Sequence, residues 1–503
     1  MRKLTGLLKW IDNNLVKFLV WGFIFIVPLY PKFPLKLIDY TYIAIRMEDL
    51  YVTVLAVIFF IQVLRRKITI NKRFFKLFII YWILITASFV FNAFVTGTVI
   101  YKHLGFLHTL RRLEYMIPFF IAISVIKSKK DFYTSLYLTF IAIFLVIGYG
   151  FGQKFFGWPA VQTMNDVFAK GMLLRLTPEA RVSSTFAGHY DLAAYLIFFI
   201  PLILAFFLYK GKKLYFAFFS ILFLMLTLTA SRTSYIAYGV SVLAFLIFVK
   251  KPKLLLAVAI LTIGITYASK SLTTRFFKAF QIRQIFVNQK TGQVVVPERL
   301  SSKELPAGTF YVTVNDDSAF ARKAEENAGK NEVLLQQRII DDLRDEARKS
   351  GKTLTATDEA RIAASMSAGL KPVNTVVSDI SMATRFQVEW PRAIKAFLKN
   401  PLLGTGPSSI TEATDNDYLR SLGEFGLLGT VAFGFIIFSI VKFIYARTLK
   451  IAGNEKYVYL GLLFGIGALL INASYIDVFE ASKVAYVFWL TLGFFVGSLD
   501  LQK

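Results

Sequence analysis

Long apolar runs constrain this chain more than any other feature. About twelve of them come close to the roughly 20 residues that span a hydrocarbon core of about 30 Å. They begin near Leu15, Met47, Phe74, Leu113, Phe132, Leu192, Leu214, Ser234, Leu254, Gly426, Tyr457 and Val484. With 56% hydrophobic residues over 503 positions and a mean hydropathy of +0.56, a bilayer has to be the main solvent. Backbone groups inside lipid must be satisfied within the segment, so the runs are expected to be helices. The expected fold is an all-α polytopic membrane protein of about twelve transmembrane helices. The fourth run is short and merges with the amphipathic stretch before it. Pro28, Pro118 and Pro201 fall inside or at the ends of runs, where membrane helices tolerate them. Residues 1–14 carry basic side chains but lead into an apolar stretch without a small-residue cleavage site, which reads as a first helix rather than a removed signal peptide.

The formal net charge of +26 does not point to nucleic acid, because the basic residues sit in short runs between apolar segments. Arg65, Arg66, Lys67, Lys72 and Arg73 form one cluster, and Lys127, Lys129 and Lys130 a second. Lys210, Lys212 and Lys213 follow, then Lys250, Lys251 and Lys253, then Lys442, Arg447, Lys450 and Lys456. These lie in alternate loops, which places both termini in the cytoplasm and the remaining, longer loops outside. Residues 1–268 then hold the first nine helices, 269–422 a large extracytoplasmic loop, and 423–503 the last three. Within the loop, residues 284–372 turn polar and charged, with strand-like stretches at 293–297 and 310–314 and helical ones at 332–349 and 358–367. That is a small mixed α/β soluble insertion rather than a structureless loop.

The chain has no cysteine, which excludes disulfides and thiolate chemistry, and its three histidines are too few for a protein metal cage. What remains is a set of polar clusters at the outward ends of helices. Ionisable groups at membrane depth are costly and tend to mark sites. Ser231-Arg232-Thr233 separates two apolar runs with almost no loop between them. Arg232 either pins a tight turn by snorkelling or aims its planar fork at a phosphate, with Ser231 beside it. Arg181-Val-Ser-Ser-Thr-Phe-Ala-Gly-His189 precedes the sixth run, where Ser183, Ser184 and Thr185 could equally be helix caps. A third cluster joins Arg385, a glycine-rich turn at 400–407, and Asp415-Asn416-Asp417 leading to Glu424 and Gly426. Taken alone, it also reads as turn chemistry plus a cap. Arg111 and Arg112 lie just before the fourth run and serve either as part of a basic pocket or as interfacial anchors with Glu114 as partner.

In this order and on these helix ends, the clusters resemble the O-antigen ligase and polymerase superfamily of bacterial membrane glycosyltransferases. The likeness rests on 181–196 (arginine, then Ser-Thr-Phe, then a helix), 228–239 (Leu-Thr-x-Ser-Arg) and 401–429 (Pro-Leu-x-Gly-x-Gly, Asn-Asp-Tyr-Leu and Glu-x-Gly-Leu-Leu-Gly). Where family members often carry a histidine before the Asn-x-x-Leu segment, this chain has Asp415. The resemblance implies transfer of a glycan from undecaprenyl pyrophosphate to a glycan, lipid or protein acceptor, on the outer face of the cytoplasmic membrane and without a cofactor or metal. It makes Arg232, Asp415 and Arg181 the candidate catalytic residues. Arg385, Asn416, Asp417, His189, Ser231, Arg111 and Arg112 are candidates for substrate binding, with Asp417 the second choice as base. A polytopic lipid or glycan transporter is the rival class, although no half-to-half similarity is visible.

Overall fold

The structure is a computed structural model and describes residues 2–39, 41, 44–163, 168–178, 180–269, 272–273, 280–288, 294–295, 312–313, 328–349, 355–367, 370–378, 384–410 and 414–501. The chain divides into two compact units, one of Met1–Thr273 with Arg392–Lys503 and one of Thr274–Pro391.

Each of the twelve apolar runs falls on a helix of the first unit. These are α1 (Arg2–Leu29), α2 (Met47–Leu64), α3 (Lys72–Phe94), α4 (Lys102–Val125), α5 (Lys129–Phe155), α6 (His189–Lys210), α7 (Lys213–Thr229), α8 (Arg232–Phe248) and α9 (Pro252–Ala268) before the second unit. Three more follow it, of which the first runs over Asp417–Thr448, the next over Lys456–Ala473 and the last over Ser482–Asp500. Among the described residues, eight helices are long and apolar enough to cross a membrane. The helices α7, α8 and α9 have 17 residues each, which at 1.5 Å per residue is roughly 26 Å, short of a full core. Helix α4 starts well before the apolar run at Leu113 and carries Arg111, Arg112 and Glu114 in its middle, so it is not among the eight.

The second unit is built on a four-stranded sheet, from β5 (Phe280–Asn288), β6 (Val294–Val295), β7 (Val312–Thr313) and β8 (Leu370–Ser378); the short pairs β1 (Pro34–Leu37) with β2 (Ala44–Arg46), and β3 (Ala160–Val161) with β4 (Leu173–Leu174), belong to the first unit. Strand order is β6-β5-β8-β7, with β5 and β8 antiparallel from Phe280 opposite Ser378 to Asn288 opposite Leu370. The two expected strand-like stretches contain β6 and β7, and their flanks lie outside the described residues. The central strands β5 and β8 are longer than either and were not expected. The expected helices are α10 (Ala328–Lys349) and α11 (Ala356–Ser367), which place Leu335, Ile339 and Ala363 in a small core with Phe286. Arg344 grips Glu359 through Nε and Nη2, at 3.0 and 2.8 Å.

After α12 (Trp390–Lys399), the last three helices, α13 (Asp417–Thr448), α14 (Lys456–Ala473) and α15 (Ser482–Asp500), complete the first unit. Helix α15 is buried along nearly its whole length, because it is apolar on every face. Lipid offers no hydrophobic drive between helices, so close backbone approach has to hold them together. Gly493 and Gly497, four residues apart, let α15 lie against α4, where a Cβ on Gly493 would come within 2.4 Å of the Phe119 carbonyl. Gly461 and Gly465 do the same between α14 and α6, where a Cβ on Gly465 would sit 2.2 Å from the Phe198 carbonyl. In contrast, Val258 is the one buried residue of α9.

The basic loops gather with both chain ends. Asp12 of α1 meets Arg65 at 2.7 Å and also pairs with Lys67, while Asp500 of α15 meets Arg73 at 3.3 Å. Lys17 pairs with Asp131, and Lys129 with Glu455 at 2.9 Å. The other set of loops meets around residues 474–481, as described below.

Helix α13 is broken at Gly426, whose φ of 63° and ψ of −164° interrupt the helix after nine residues. The turn at 401–406 fills the break. Leu427 and Leu428 donate their N–H groups to the carbonyls of Pro401 (2.8 Å) and Leu402 (3.2 Å), and Gly406 N–H donates to Glu424 O (2.9 Å). The freed backbone groups are thus satisfied inside the fold, the condition for irregular backbone at membrane depth. A Cβ on Gly426 would lie 2.4 Å from Leu402 backbone atoms. Gly426→Ala therefore combines a positive-φ penalty of about 1–2 kcal/mol with a backbone collision. We expect it to lower thermal stability in detergent by more than about 2 kcal/mol, whereas Gly434→Ala, where the added Cβ meets nothing within 4 Å, should leave it unchanged.

Candidate functional site

The candidate side chains are positioned by helix ends. Asn416 caps α13, its Oδ1 accepting from the N–H groups of Tyr418 (3.1 Å) and Leu419 (3.0 Å). Its amide also donates to Ser474 O at 2.8 Å, and its backbone N–H donates to Asp477 Oδ1 at 3.2 Å. Asp417, in the first turn, accepts from the N–H groups of Val478 (2.7 Å) and Phe479 (3.1 Å). Both expected substrate-binding residues are thereby committed to holding the loop 474–481 between α14 and α15. Asp415, one position before the cap, is half-buried and acts electrostatically on Asp191 and Asp477.

That loop is the hub of a buried ion network. Arg112 reaches Glu424 at 3.2 Å and pairs with Glu480, with Phe425 under its guanidinium at 4.3 Å. Arg420 pairs with Asp477 and lies 3.6 Å from Glu424. Glu424 Oε1 also accepts from Ser408 N–H at 3.1 Å, tying the glycine-rich turn into the network. Arg111 lies apart, donating to Ala44 O at 3.1 Å and standing 3.6 Å from Asp49. The ion-pair partners of Arg111 and Arg112 are therefore Asp49, Glu424 and Glu480 rather than Glu114. Burial pushes the Asp477 carboxyl well above the usual range, against the pull of Arg420. Burial also pushes Glu480 up, but Arg112 and Arg420 outweigh it and hold that carboxyl below its ordinary value.

A separate buried ion pair joins the segment after α1 to α2, at the start of α15. Lys32 donates to Glu48 at 2.7 Å and to Ser482. Burial holds the Lys32 ammonium below its ordinary value, with Glu48 opposing.

Arg181 and His189 face each other 2.5 Å apart across the start of α6. The serines and threonine between them are not helix caps, since Gly188 takes that position. Instead Ser184 donates to Val146 O at 2.7 Å and Thr185 to Pro28 O at 2.5 Å, folding the segment onto α5 and α1. Val182 N–H donates to Leu228 O at 3.2 Å, which brings this segment to the end of α7. There Ala230, at φ 49°, turns the chain so that α8 starts at once. Arg232 is its first residue and is half-buried. Ser231 is buried and shares a 2.8 Å hydrogen bond with Ser234, which donates to Asn472 at 3.1 Å. The structure thus gathers Arg181, His189, Ser231 and Arg232 around one junction and Arg112, Asn416 and Asp417 around another, while Arg111 stands by the start of α2. Asn472 and Ser474, two residues apart, touch both. Arg385 belongs to the second unit, where it is buried in the π-helical turn Arg385–Glu389.

Sequence reasoning missed Arg420, Asp477, Glu480, Lys32 and Lys483. A signal was present in Asp477 and Glu480, two carboxylates in an eight-residue gap between apolar runs.

Removing one member of a buried ion cluster leaves its partners uncompensated, which typically costs about 3–5 kcal/mol. Arg112→Met should destabilise the protein by that amount in a detergent melt, and Arg112→Met with Glu480→Met should recover more than half of the loss. A double variant no more stable than the single one would show that the two side chains do not act as a pair.

No curated protein matches the chain. Residues 217–434 match the family model described as O-antigen ligase. This stretch holds Ser231, Arg232, Arg385 and the Asp415 to Glu424 segment, and the match bears out the resemblance read from the motifs: over 217–434 the chain is similar to the O-antigen ligase family.

Proposed function

We propose that this protein transfers a glycan from an undecaprenyl-pyrophosphate carrier to an acceptor hydroxyl or amide, on the outer face of the bacterial cytoplasmic membrane. The O-antigen ligase match across the segment that carries Arg232 and Asp415 is the observation that carries this reading. It supports ligase- or polymerase-type glycosyl transfer in general. The carrier, the acceptor and the sidedness are our inference from the motifs and from the basic loops at the opposite end of the helices.

The reaction is a displacement at the anomeric carbon. The acceptor oxygen or nitrogen bonds to that carbon, the bond to the pyrophosphate oxygen breaks with its electron pair, and the acceptor's proton passes to a base. The leaving group is already good, so the protein chiefly has to stabilise its growing negative charge and orient the acceptor. Arg232 at the head of α8 and Arg181 beside His189 are the guanidiniums for this task, which a fixed positive charge performs without a metal. Arg111 and Arg112 are occupied by carboxylates and belong to the scaffold. Of the two candidate bases, Asp417 is held by two backbone N–H groups, so Asp415 takes the proton.

One observation favours a second reading. Broken helices near a binding site are a transporter device, and α13 is broken at Gly426. Here the gap is filled by the 401–406 turn rather than left open to a substrate.

In proteoliposomes supplied with a lipid-pyrophosphate oligosaccharide and a chelator, Arg232→Ala should abolish transfer while the protein remains in the membrane at wild-type level. Asp415→Asn should slow transfer by about 10²-fold or more, the usual range for a lost general base. Full activity of either variant removes that residue from the reaction.

A further inference from the structure

Lys483, in the first turn of α15, lies outside the O-antigen ligase match and is 1% exposed. A lysine ammonium has three N–H donors and no acceptor. Here all three are used on backbone carbonyls from two parts of the chain: Pro28 at 3.1 Å and Tyr30 at 2.6 Å at the end of α1, and Thr185 at 2.6 Å before α6. The Phe186 ring lies 4.9 Å from the same ammonium. Two of these four groups belong to the segment that runs from Arg181 to His189. Thr185 itself donates to Pro28 O, so the Lys483 ammonium and the Thr185 hydroxyl converge on one carbonyl.

The charge has no carboxylate within ion-pair distance among the described residues, yet a buried ammonium is expensive unless it is compensated. Three carbonyl dipoles supply part of that compensation, with the Glu48 and Asp191 carboxylates acting from further away, and the carbonyls are the groups that must be held still. Ser184 stands at φ 52°, a conformation that side chains rarely adopt, and is tied on both sides by Gln153, which accepts from its N–H at 2.7 Å and donates to its carbonyl at 2.8 Å. A strained backbone of this kind persists only where its surroundings over-determine it.

We propose that Lys483 is a positioning residue for the glycan-transfer site: its ammonium clamps the 181–189 segment and so fixes where the Arg181 guanidinium meets the donor. This rests on the role given to Arg181 above. Misplacement by about 1 Å can lower a rate by about a hundredfold, so loss of the clamp should act on transfer even where the fold survives. Arginine cannot replace it, because a planar fork does not present three donors to carbonyls that surround a point.

The test is a double-variant cycle on the full chain in proteoliposomes, with Lys483→Met and Arg181→Lys made singly and together, and kcat and KM measured for a lipid-pyrophosphate oligosaccharide. Lys483→Arg serves as the second variant in case Lys483→Met does not fold. We expect the Lys483 variant to lower kcat/KM at least about tenfold, and to add little once Arg181 has been changed, since both lesions act through one group. Losses that multiply would overturn the proposal and leave Lys483 a purely structural residue. If Arg181→Lys alone retains full transfer, it is the reading of Arg181 that fails. A Lys483 variant with unchanged kcat and KM overturns the clamp whatever Arg181 does.

Discussion

Burying charge is the constraint on which the rest of this structure depends. Arginines, lysines and carboxylates stand where apolar helices begin and end, and each would be prohibitively costly there alone. The chain meets this cost by concentrating them around loop 474–481. Arg112 comes from α4, Arg420 and Glu424 from α13, and Asp477 and Glu480 from the loop itself. Asn416 and Asp417 fasten the same loop through its backbone. Helices distant in sequence are thus joined by electrostatic and hydrogen-bond contacts, while the glycine approaches of α15 on α4 and α14 on α6 supply the close packing.

The break in α13 follows from the same arrangement. A continuous helix would leave the glycine-rich turn at 401–406 without backbone partners. With Gly426 at positive φ, the turn enters the gap and Glu424 faces Ser408 N–H. One backbone irregularity thereby links the glycine-rich turn, through Ser408 and Glu424, to the ion network.

Much of the fold could be read from hydropathy, because each apolar run lies on a helix and the alternation of basic loops agrees with the gathering of Asp12, Arg65, Arg73 and Asp500. Periodicity also found α10 and α11. It missed β5 and β8, which pair with each other across about 80 intervening residues, a long-range contact that no local pattern records. Of the site, Arg111, Arg112, Arg181 and Arg232, though not Arg420, were legible as costly charges at helix ends. Their partners were not, since Arg112 meets Glu424 and Glu480 across more than 300 positions and Lys483 meets carbonyls that have no side-chain signature. Asn416 and Asp417 are read from the sequence as substrate contacts, and the structure adds a cap and a loop anchor to them, roles that a binding amide or carboxylate does not display in sequence.

The measurement that bears most directly on this account is the fate of an undecaprenyl-pyrophosphate-linked oligosaccharide when the purified protein is placed in liposomes with acceptor and chelator. Release of the lipid pyrophosphate together with a larger glycoconjugate is the predicted result, and the anchor of that product separates a ligase from a polymerase. A donor that stays intact but crosses the bilayer would contradict it and make the arginine-lined helix ends a transport path.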